Sequence, residues 1–556
     1  MDNITGGGSR QGELLVQAIL FFGALGLFSL QWFGPAFSGI MGDVTATAAE
    51  RVQAGDIPYR DFWTMYAPGS YYLLALLFSI FGNHILVSSV AASILSASAV
   101  SLCYRLVHRL VGGIMPALAC AGIFFAAIYM TAYYYLNLGP YPPVIVCVLL
   151  ALNFIVDFHK TGSTTSLFVA GLATGLAIVF KHDVGGYAAI AMTAGLITGN
   201  FCKNTVASHA GVTVKIAIYS MGVAAVSLPV AIYFAVLAGP DMWRDLIVFP
   251  ATDFHFARGE HYPGLLPTGI YNEWWLMAVF NFLTYLRFTI PFIVVVLSVI
   301  TLVIAGMKRN TDYLPMGVTF AVLYLLHYSS AHIQINTNII SMPLYAAMLG
   351  AISYRIVDGN IRESGQLLFR LFVLALAAVS FLVFFLQPLY KRITNDEPVV
   401  VLVLPKIAGI SASQEMNDTL TKLVDFVNEN VPPGKRMFIG LHRHDTTVIG
   451  DGKMYFILDR LNATRQDQLH PGIVDTTKIQ REMIRDLQAH DVRYILLKHN
   501  FGDKVLDEFR KIWSVTLPES GSTELDEYIR AKYRKVRTIG QYEIWRKFEP
   551  DEVPVQ

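Results

Sequence analysis

Apolar runs of about twenty residues recur along the first two thirds of this 556-residue chain. A run of that length spans the hydrocarbon of a bilayer as one helix, and only a helix or a closed barrel can satisfy its backbone there. Applied along the sequence, the rule gives spans near 13–40, 84–110, 114–134, 140–158, 166–180, 184–201, 213–239, 276–306, 312–330, 337–356 and 367–388, eleven in all. The composition agrees: 54% of residues are hydrophobic and only 15% charged, against roughly a quarter charged in soluble globules. About 50 of the 83 Lys, Arg, Asp and Glu residues (42 basic plus 41 acidic) lie after Leu386. The expected architecture is therefore a polytopic α-helical membrane domain, residues 1–387, followed by a water-soluble region, 388–556.

The basic residues of the short connections orient the helices. With the N-terminus in the cytoplasm, the inside loops hold Arg105, Arg109, Lys160, Lys203, Lys308, Arg309, Arg355 and Arg362, the bias expected of cytoplasmic loops. The loops 41–83 and 239–275, the corner 133–141 and the C-terminal region then fall on the outer face. The first apolar run follows only Arg10 and lacks a convincing cleavage site, so it reads as an uncleaved anchor. A net charge of +1 gives nucleic acid no basic face to bind. Cys103, Cys120, Cys147 and Cys202 all sit in or beside apolar segments and imply neither a disulfide framework nor a metal site.

The tail alternates elements. "TLTKLVDFVNENV" and "QREMIRDLQAH" have helical spacing, "RMFIGL", "RYILLK" and "YEIWRKF" read as strands, and "VPPGK" is a turn. An α/β domain is expected. It contains no G-x-G-x-x-G and no G-x-x-x-x-G-K-[ST], so nucleotide binding has no support. "HRHD", His442 to Asp445, alternates histidines as zinc ligands on a strand do, but no third ligand stands near it in sequence.

Ionisable residues cluster where the outer face is expected. Asp43 is the first acid after the first span, either a helix-capping acid or a carboxylate over a cleft. Asp61, in "IPYRDFWTMYAPGSYY", is either a partner of Arg60 or Arg51 or a substrate contact; Glu50, Arg51, Asp56 and Arg60 read as local ion pairs. "FKHDVGGY" places Lys181, His182 and Asp183 between two spans. Lys181 either snorkels to the headgroups or holds a phosphate as a point charge, and Gly185–Gly186 permits a close backbone approach. "FPATDFHFARGEHYPG" carries Asp253, His255, Arg258, Glu260 and His261. Asp253 and His255 have the alternation of metal ligands on an extended chain, yet spacing alone supplies no three-ligand set, so a divalent metal stands as an unsupported alternative to an ion-paired loop or a donor or acceptor contact, and no other cofactor is called for. His327 and His332 flank the outer end of a late span, as polar residues inside the bundle or as substrate contacts.

Taken in order, "AAERVQAGDIPYRDFWTMYAPGSYYLLALLFSIFG", "GLATGLAIVFKHDVGGYAAI" and the late "SMPLYAAMLGA" resemble the GT-C class of membrane glycosyltransferases. More narrowly they resemble the bacterial relatives of protein O-mannosyltransferases and of the lipid A aminoarabinose transferase. The resemblance implies inverting transfer of a sugar from a polyprenyl-phosphate-linked donor to a hydroxyl of a glycan, lipid or protein acceptor, on the outer face of the plasma (inner) membrane. It implies Asp43 as the base and Lys181 and Arg258 at the donor phosphate; Asp61, His182, His261, His327 and His332 are candidate substrate contacts. Two departures stand out: Val44 follows Asp43 where many members have an Asp-Glu pair, and Pro68-Gly69 stands where Pro-Pro is common. No D-x-D occurs to hold a metal-bound nucleotide sugar. The competing reading is a transporter or flippase with charges along its path, though no internal repeat is evident; a third, a scaffold with an outer binding domain, leaves so many spans unexplained.

Overall fold

A computed structural model describes residues 8–33, 40–130, 137–202, 211–252, 275–307, 312–358, 399–446, 450–470, 472–499 and 521–549; within them, the side chains at 40–43, 275–288 and 331–340 are among those outside the description. The first half is helical. Helices α1 (Gly8–Ser29), α2 (Ile40–Gln53), α3 (Gly69–Phe81), α4 (Ile85–Val111), α5 (Ile114–Met130), α6 (Tyr141–Thr161), α7 (Thr164–Phe180), α8 (His182–Phe201) and α9 (Val212–Ala238) are followed by α10 (Trp275–Met307), α11 (Leu314–Ser329) and α12 (Ala331–Asp358). Five of the described helices are long and apolar enough to cross a membrane by length and composition: Gln11–Ser29, Ile85–Val111, Tyr141–Thr161, Val212–Ala238 and Thr289–Met307. The expected span 367–388 lies outside the described residues.

Local chemistry sets the helix ends. His84 accepts the Leu86 N–H before α4, and Ser163 accepts the Ser166 N–H before α7, each satisfying one of the donors a helix start leaves free. Pro142 and Pro143 occupy the first turn of α6, where their missing N–H costs nothing, and Gly162 ends it in the left-handed conformation. The "GLATGLA" motif has a packing role. A Cβ on Gly171 would lie 2.2 Å from the Tyr219 carbonyl oxygen, and one on Gly175 would lie 2.5 Å from that of Val223. Helices α7 and α9 therefore touch backbone to backbone, the small-xxx-small contact of membrane bundles. All four cysteines are buried and free.

The C-terminal residues build a short antiparallel pair, β1 (Val399–Val401) with β2 (Ser411–Ser413), and a four-stranded mixed sheet. After helix α13 (Gln414–Asn430), the sheet strands are β3 (Phe438–Leu441), β4 (Tyr494–Lys498), β5 (Tyr533–Ile539) and β6 (Tyr542–Lys547), in the order β3-β4-β6-β5. Strands β3 and β4 are parallel and joined through α14 (Lys453–Ile457) and α15 (Thr477–Ala489); β6 runs antiparallel to both neighbours, and α16 (Glu524–Lys532) leads into β5. The three strands read from sequence are β3, β4 and β6. Strand β5, rich in Arg and Lys, has no such reading.

The segment from α2 through α3 shares its core with this α/β region. Ala46, Leu74 and Phe78 cluster with Leu402, Leu423 and Phe456, while Phe62, Trp63 and Tyr66 cluster with Leu469 and Ile473. Its charges cross the same junction. Arg51, only 2% exposed, donates to Asp56 and Asp467 at 2.7 Å each, to the Thr464 carbonyl at 3.0 Å and to the Asp61 carbonyl at 2.7 Å. Arg436 donates to Asp56 at 2.7 Å, Lys406 pairs with the buried Glu50, and Arg465 reaches Asp245 at 2.7 Å and the Tyr59 carbonyl. Burial pushes the Glu50 carboxyl above its usual range against the pull of Lys406. The ion pairs of this segment are thus local in part, Arg51 to Asp56 and Arg60 to Asp61, while three others run to Lys406, Arg436 and Asp467.

Arg51→Ala strands Asp467 in the junction, and loss of one member of a buried pair costs about 3–5 kcal/mol. The expected result is a lower thermal unfolding temperature and earlier proteolysis after residue 399; Arg60→Ala, at an exposed position, leaves both unchanged.

Candidate active site at the helix break

Between α7 and α8 the chain extends for a single residue. Lys181, with φ −153° and ψ 102°, is the last cap of one helix and the first of the next. Its side chain is 2% exposed and turns into the bundle, away from the surface. Nζ lies 2.6 and 2.7 Å from the two Asp183 carboxylate oxygens and 5.5 Å from the centre of the Tyr141 ring. Asp183 is in the first turn of α8, where a carboxylate meets the positive end of the helix dipole, and its Oδ1 accepts the Val184 N–H at 2.8 Å. It supplies the counter-charge without which an ammonium could not be buried at this depth.

Close backbone contacts hold the break in place. A Cβ on Gly185 would lie 2.4 Å from the Ile178 nitrogen, so the approach its glycine permits is to α7 itself, whereas Gly186 faces open space. A Cβ on Gly69 would lie 2.7 Å from the Val179 carbonyl oxygen. The glycine that replaces a second proline after Pro68 is therefore what lets α3 start against the end of α7.

His327 and its ring neighbours form the other side. Its Nδ1 shares a hydrogen with the Leu323 carbonyl at 2.8 Å, which makes Nδ1 the donor and leaves Nε2 as the basic nitrogen. The ring stands edge-on to Tyr187 at 5.2 Å and tilted against Tyr345 at 5.1 Å. Tyr187, four residues after Asp183 on α8, links His327 to the helix break. Among the described residues, the buried atoms His182 Nδ1, His327 Nε2 and Tyr345 Oη lack a protein partner. Most buried polar side chains are paired with protein, water or ligand, so these atoms are open to a polar guest.

The helix that carries Asp43 passes the corner before Tyr141. Ser70 Oγ donates to the Gly139 carbonyl at 3.0 Å, Ser88 accepts the Leu138 N–H at 2.7 Å, and Ser89 donates to Asn137 at 2.9 Å. These bonds pin the corner that delivers Tyr141 to Lys181. Thr45, two residues along α2 from Asp43, has its Oγ1 3.9 Å from where a Cβ on Gly139 would stand.

Of the residues expected from sequence, Lys181, His182 and His327 are brought together. Asp61 is elsewhere: both its oxygens accept from Arg60 at 2.7–2.9 Å, and Oδ2 also accepts the Ile57 N–H at 2.7 Å. Burial pulls the Asp61 carboxyl up, but these bonds outweigh it and hold it below the usual carboxylate range. Asp43 is on α2 and His332 on α12, with side chains outside the described residues; Arg258 and His261, like Asp253, His255 and Glu260, fall wholly outside them. Asp183, Tyr141 and Tyr345 join the site without having been expected there. The Lys-x-Asp spacing across a helix start was the available signal for Asp183.

Residues 66–233 match the family model described as dolichyl-phosphate-mannose-protein mannosyltransferase. Two crystal structures of ArnT from Cupriavidus metallidurans superpose on the chain end to end. The apo state gives a TM-score of 0.54 at 11% identity, and the form bound to undecaprenyl phosphate gives 0.52 at 10%; each alignment covers 97% of this chain and 98% of that one. The chain shares the fold of these ArnT structures. Comparison with curated protein sequences finds no match. The family match includes Lys181 and His182 and ends before His327. Within this fold the helix break buries Lys181 to 2% exposure.

Lys181→Ala leaves Asp183 without its cation, and we expect destabilisation on the order of 3 kcal/mol. Lys181→Ala/Asp183→Ala removes both charges and should restore most of it. Thermal unfolding in detergent of the two variants and the parent checks the pair.

Proposed function

We propose that the protein transfers a sugar from a polyprenyl-phosphate-linked donor to an acceptor hydroxyl, with inversion, at the outer face of the plasma membrane. The observation that carries this reading is a protein-enclosed ammonium, Lys181, held beside unpartnered polar atoms in a chain with the GT-C fold. The undecaprenyl phosphate bound in one of the ArnT structures supports a donor of that chemistry, as does the mannosyl-phospholipid named by the matching family model. The eleven-span topology, with 41–83, 239–275 and the α/β region outside, belongs to the same reading and rests on the distribution of Lys and Arg.

The reaction is one displacement. The acceptor oxygen bonds to the anomeric carbon as the bond from that carbon to the phosphate oxygen breaks. Asp43 takes the acceptor proton, and the polyprenyl phosphate leaves with the electron pair. A carboxylate base contributes about 10²–10⁴ in rate. Lys181, with Arg258, meets the charge that develops on the phosphate, the kind of preorganised stabilisation worth about 10²–10³ per donor. His182 and His327 offer nitrogens, and Tyr345 a hydroxyl, for the sugar or the phosphate.

Asp43→Asn should lower transfer from a polyprenyl-phosphate sugar by at least about 10²-fold with protein level unchanged. Lys181→Ala/Asp183→Ala should fold and lose about 10²–10³. Transfer at the parent rate by Asp43→Asn removes that residue as base; parent rates in the double variant remove Lys181 from the phosphate.

A further inference from the structure

At one rim of the mixed sheet, β3, β4 and β6 each bring one side chain with a metal-ligating atom to the same point. His442 is the residue after β3 and His499 the residue after β4, while Glu543 lies on β6, opposite Leu497 of β4 and Thr538 of β5. The backbone fixes their alignment: the His442 N–H donates to the Lys498 carbonyl and the His499 N–H to the Gln541 carbonyl, both at 2.8 Å. The two imidazoles stack at 4.9 Å with 21° between their planes.

Glu543 closes the set. His499 Nε2 is 3.1 Å from its Oε1, and His442 Nδ1 is 3.7 Å from its Oε2. One donor atom from each of the three residues lies within 4.8 Å of the other two. A tetrahedral zinc ion with bonds of about 2.0–2.1 Å separates neighbouring ligand atoms by about 3.3 Å, so the three donors need only small side-chain rotations to share one ion. We propose that His442, His499 and Glu543 bind a divalent transition-metal ion, of which zinc is the type case.

The donor set selects the ion. Two imidazoles and one carboxylate suit zinc, copper or nickel; magnesium and calcium prefer oxygen ligands throughout. Both histidines are nearly half exposed, which gives the ion a route in, whereas the Glu543 carboxylate is 6% exposed and fixed. Trp545 Nε1 donates to its Oε2 at 3.0 Å and Lys535 Nζ lies 2.6 Å from its Oε1. Outer partners of this kind orient a ligating carboxylate. Lys535 is also the cation the metal must compete with. It stands on the edge strand with 47% of its side chain exposed, and an exposed ion pair of that sort yields easily.

The "HRHD" run thus contributes one ligand. His444 is occupied elsewhere: its Nδ1 pairs with Asp526 at 2.7 Å and its Nε2 accepts the Leu441 N–H at 3.1 Å. Three protein ligands leave a fourth position for water or an incoming group. An ion bound here ties three strand ends together and stabilises the folded state by mass action.

The test uses the full-length protein in detergent, without a histidine tag and freed of metal by chelation, titrated with Zn²⁺ and with Mg²⁺ by calorimetry and thermal unfolding. We expect one equivalent of Zn²⁺ to bind and to raise the unfolding temperature, reversibly with chelator, and Mg²⁺ to do neither. His442→Ala and His499→Ala, both at exposed positions, should each weaken Zn²⁺ binding at least tenfold and lose the thermal shift while the metal-free unfolding temperature stays that of the parent. Zn²⁺ affinity equal to the parent's in either variant overturns the site, as does a parent that binds no Zn²⁺.

Discussion

A single guanidinium holds the two halves of the molecule in register. Arg51, buried on α2, spends its donors on Asp56 and the Asp61 carbonyl on its own side and on Asp467 and the Thr464 carbonyl on the other. Its plane also lies over the Phe62 ring at 5.2 Å. A planar fork with several fixed donors is suited to such a task in a way that a lysine is not. Around it the pairs Lys406–Glu50, Arg436–Asp56 and Arg465–Asp245, and the stacked rings of Phe78 and Phe456, repeat the same join. The consequence is mechanical: α2 cannot tilt without moving the α/β region with it.

That constraint matters because α2 carries Asp43 and passes the corner that delivers Tyr141 to Lys181. In the proposed reaction, base and phosphate-binding cation come from different helices, and misplacement of one by an ångström is costly to rate. The α/β region, on this view, serves first as a brace for the helix that bears the carboxylate. The lysine itself is braced differently. It sits at a one-residue break between two helices that glycines bring into backbone contact, with Asp183 as its resting partner. A donor phosphate that reached Lys181 would compete with Asp183 for the same ammonium.

Much of this was readable from the sequence, for a physical reason in each case. Helix α4 and helix α6 are long apolar runs with glycine ends, the break at Lys181 is a charge cluster between two such runs, and β3, β4 and β6 are short apolar stretches between turns. The rest depends on contacts that no local spacing encodes. Asp467 is 416 residues from Arg51 in the chain, so the charges of residues 50–61 look like a local cluster until the fold supplies their partners. Strand β5 escapes notice because an edge strand is protected by the Arg and Lys residues that make it look unlike a strand. His442 finds its companions at positions 499 and 543, one strand and two strands away in the sheet. Tyr345 gains its place at His327 from the packing of α12 on α11, while Gly69 departs from a common proline pair because α7 is already there.

The proposed reaction is a single displacement at the anomeric carbon, with a carboxylate on α2 and an ammonium at the helix break acting together. The most direct measurement is the anomeric configuration of the transferred sugar, read by NMR from the purified protein supplied with a polyprenyl-phosphate sugar of known configuration and its acceptor. Product of the opposite configuration is the predicted result. Product that retains the donor's configuration requires a covalent intermediate or a second displacement, and would contradict the assignment of Asp43 as a base acting on the acceptor.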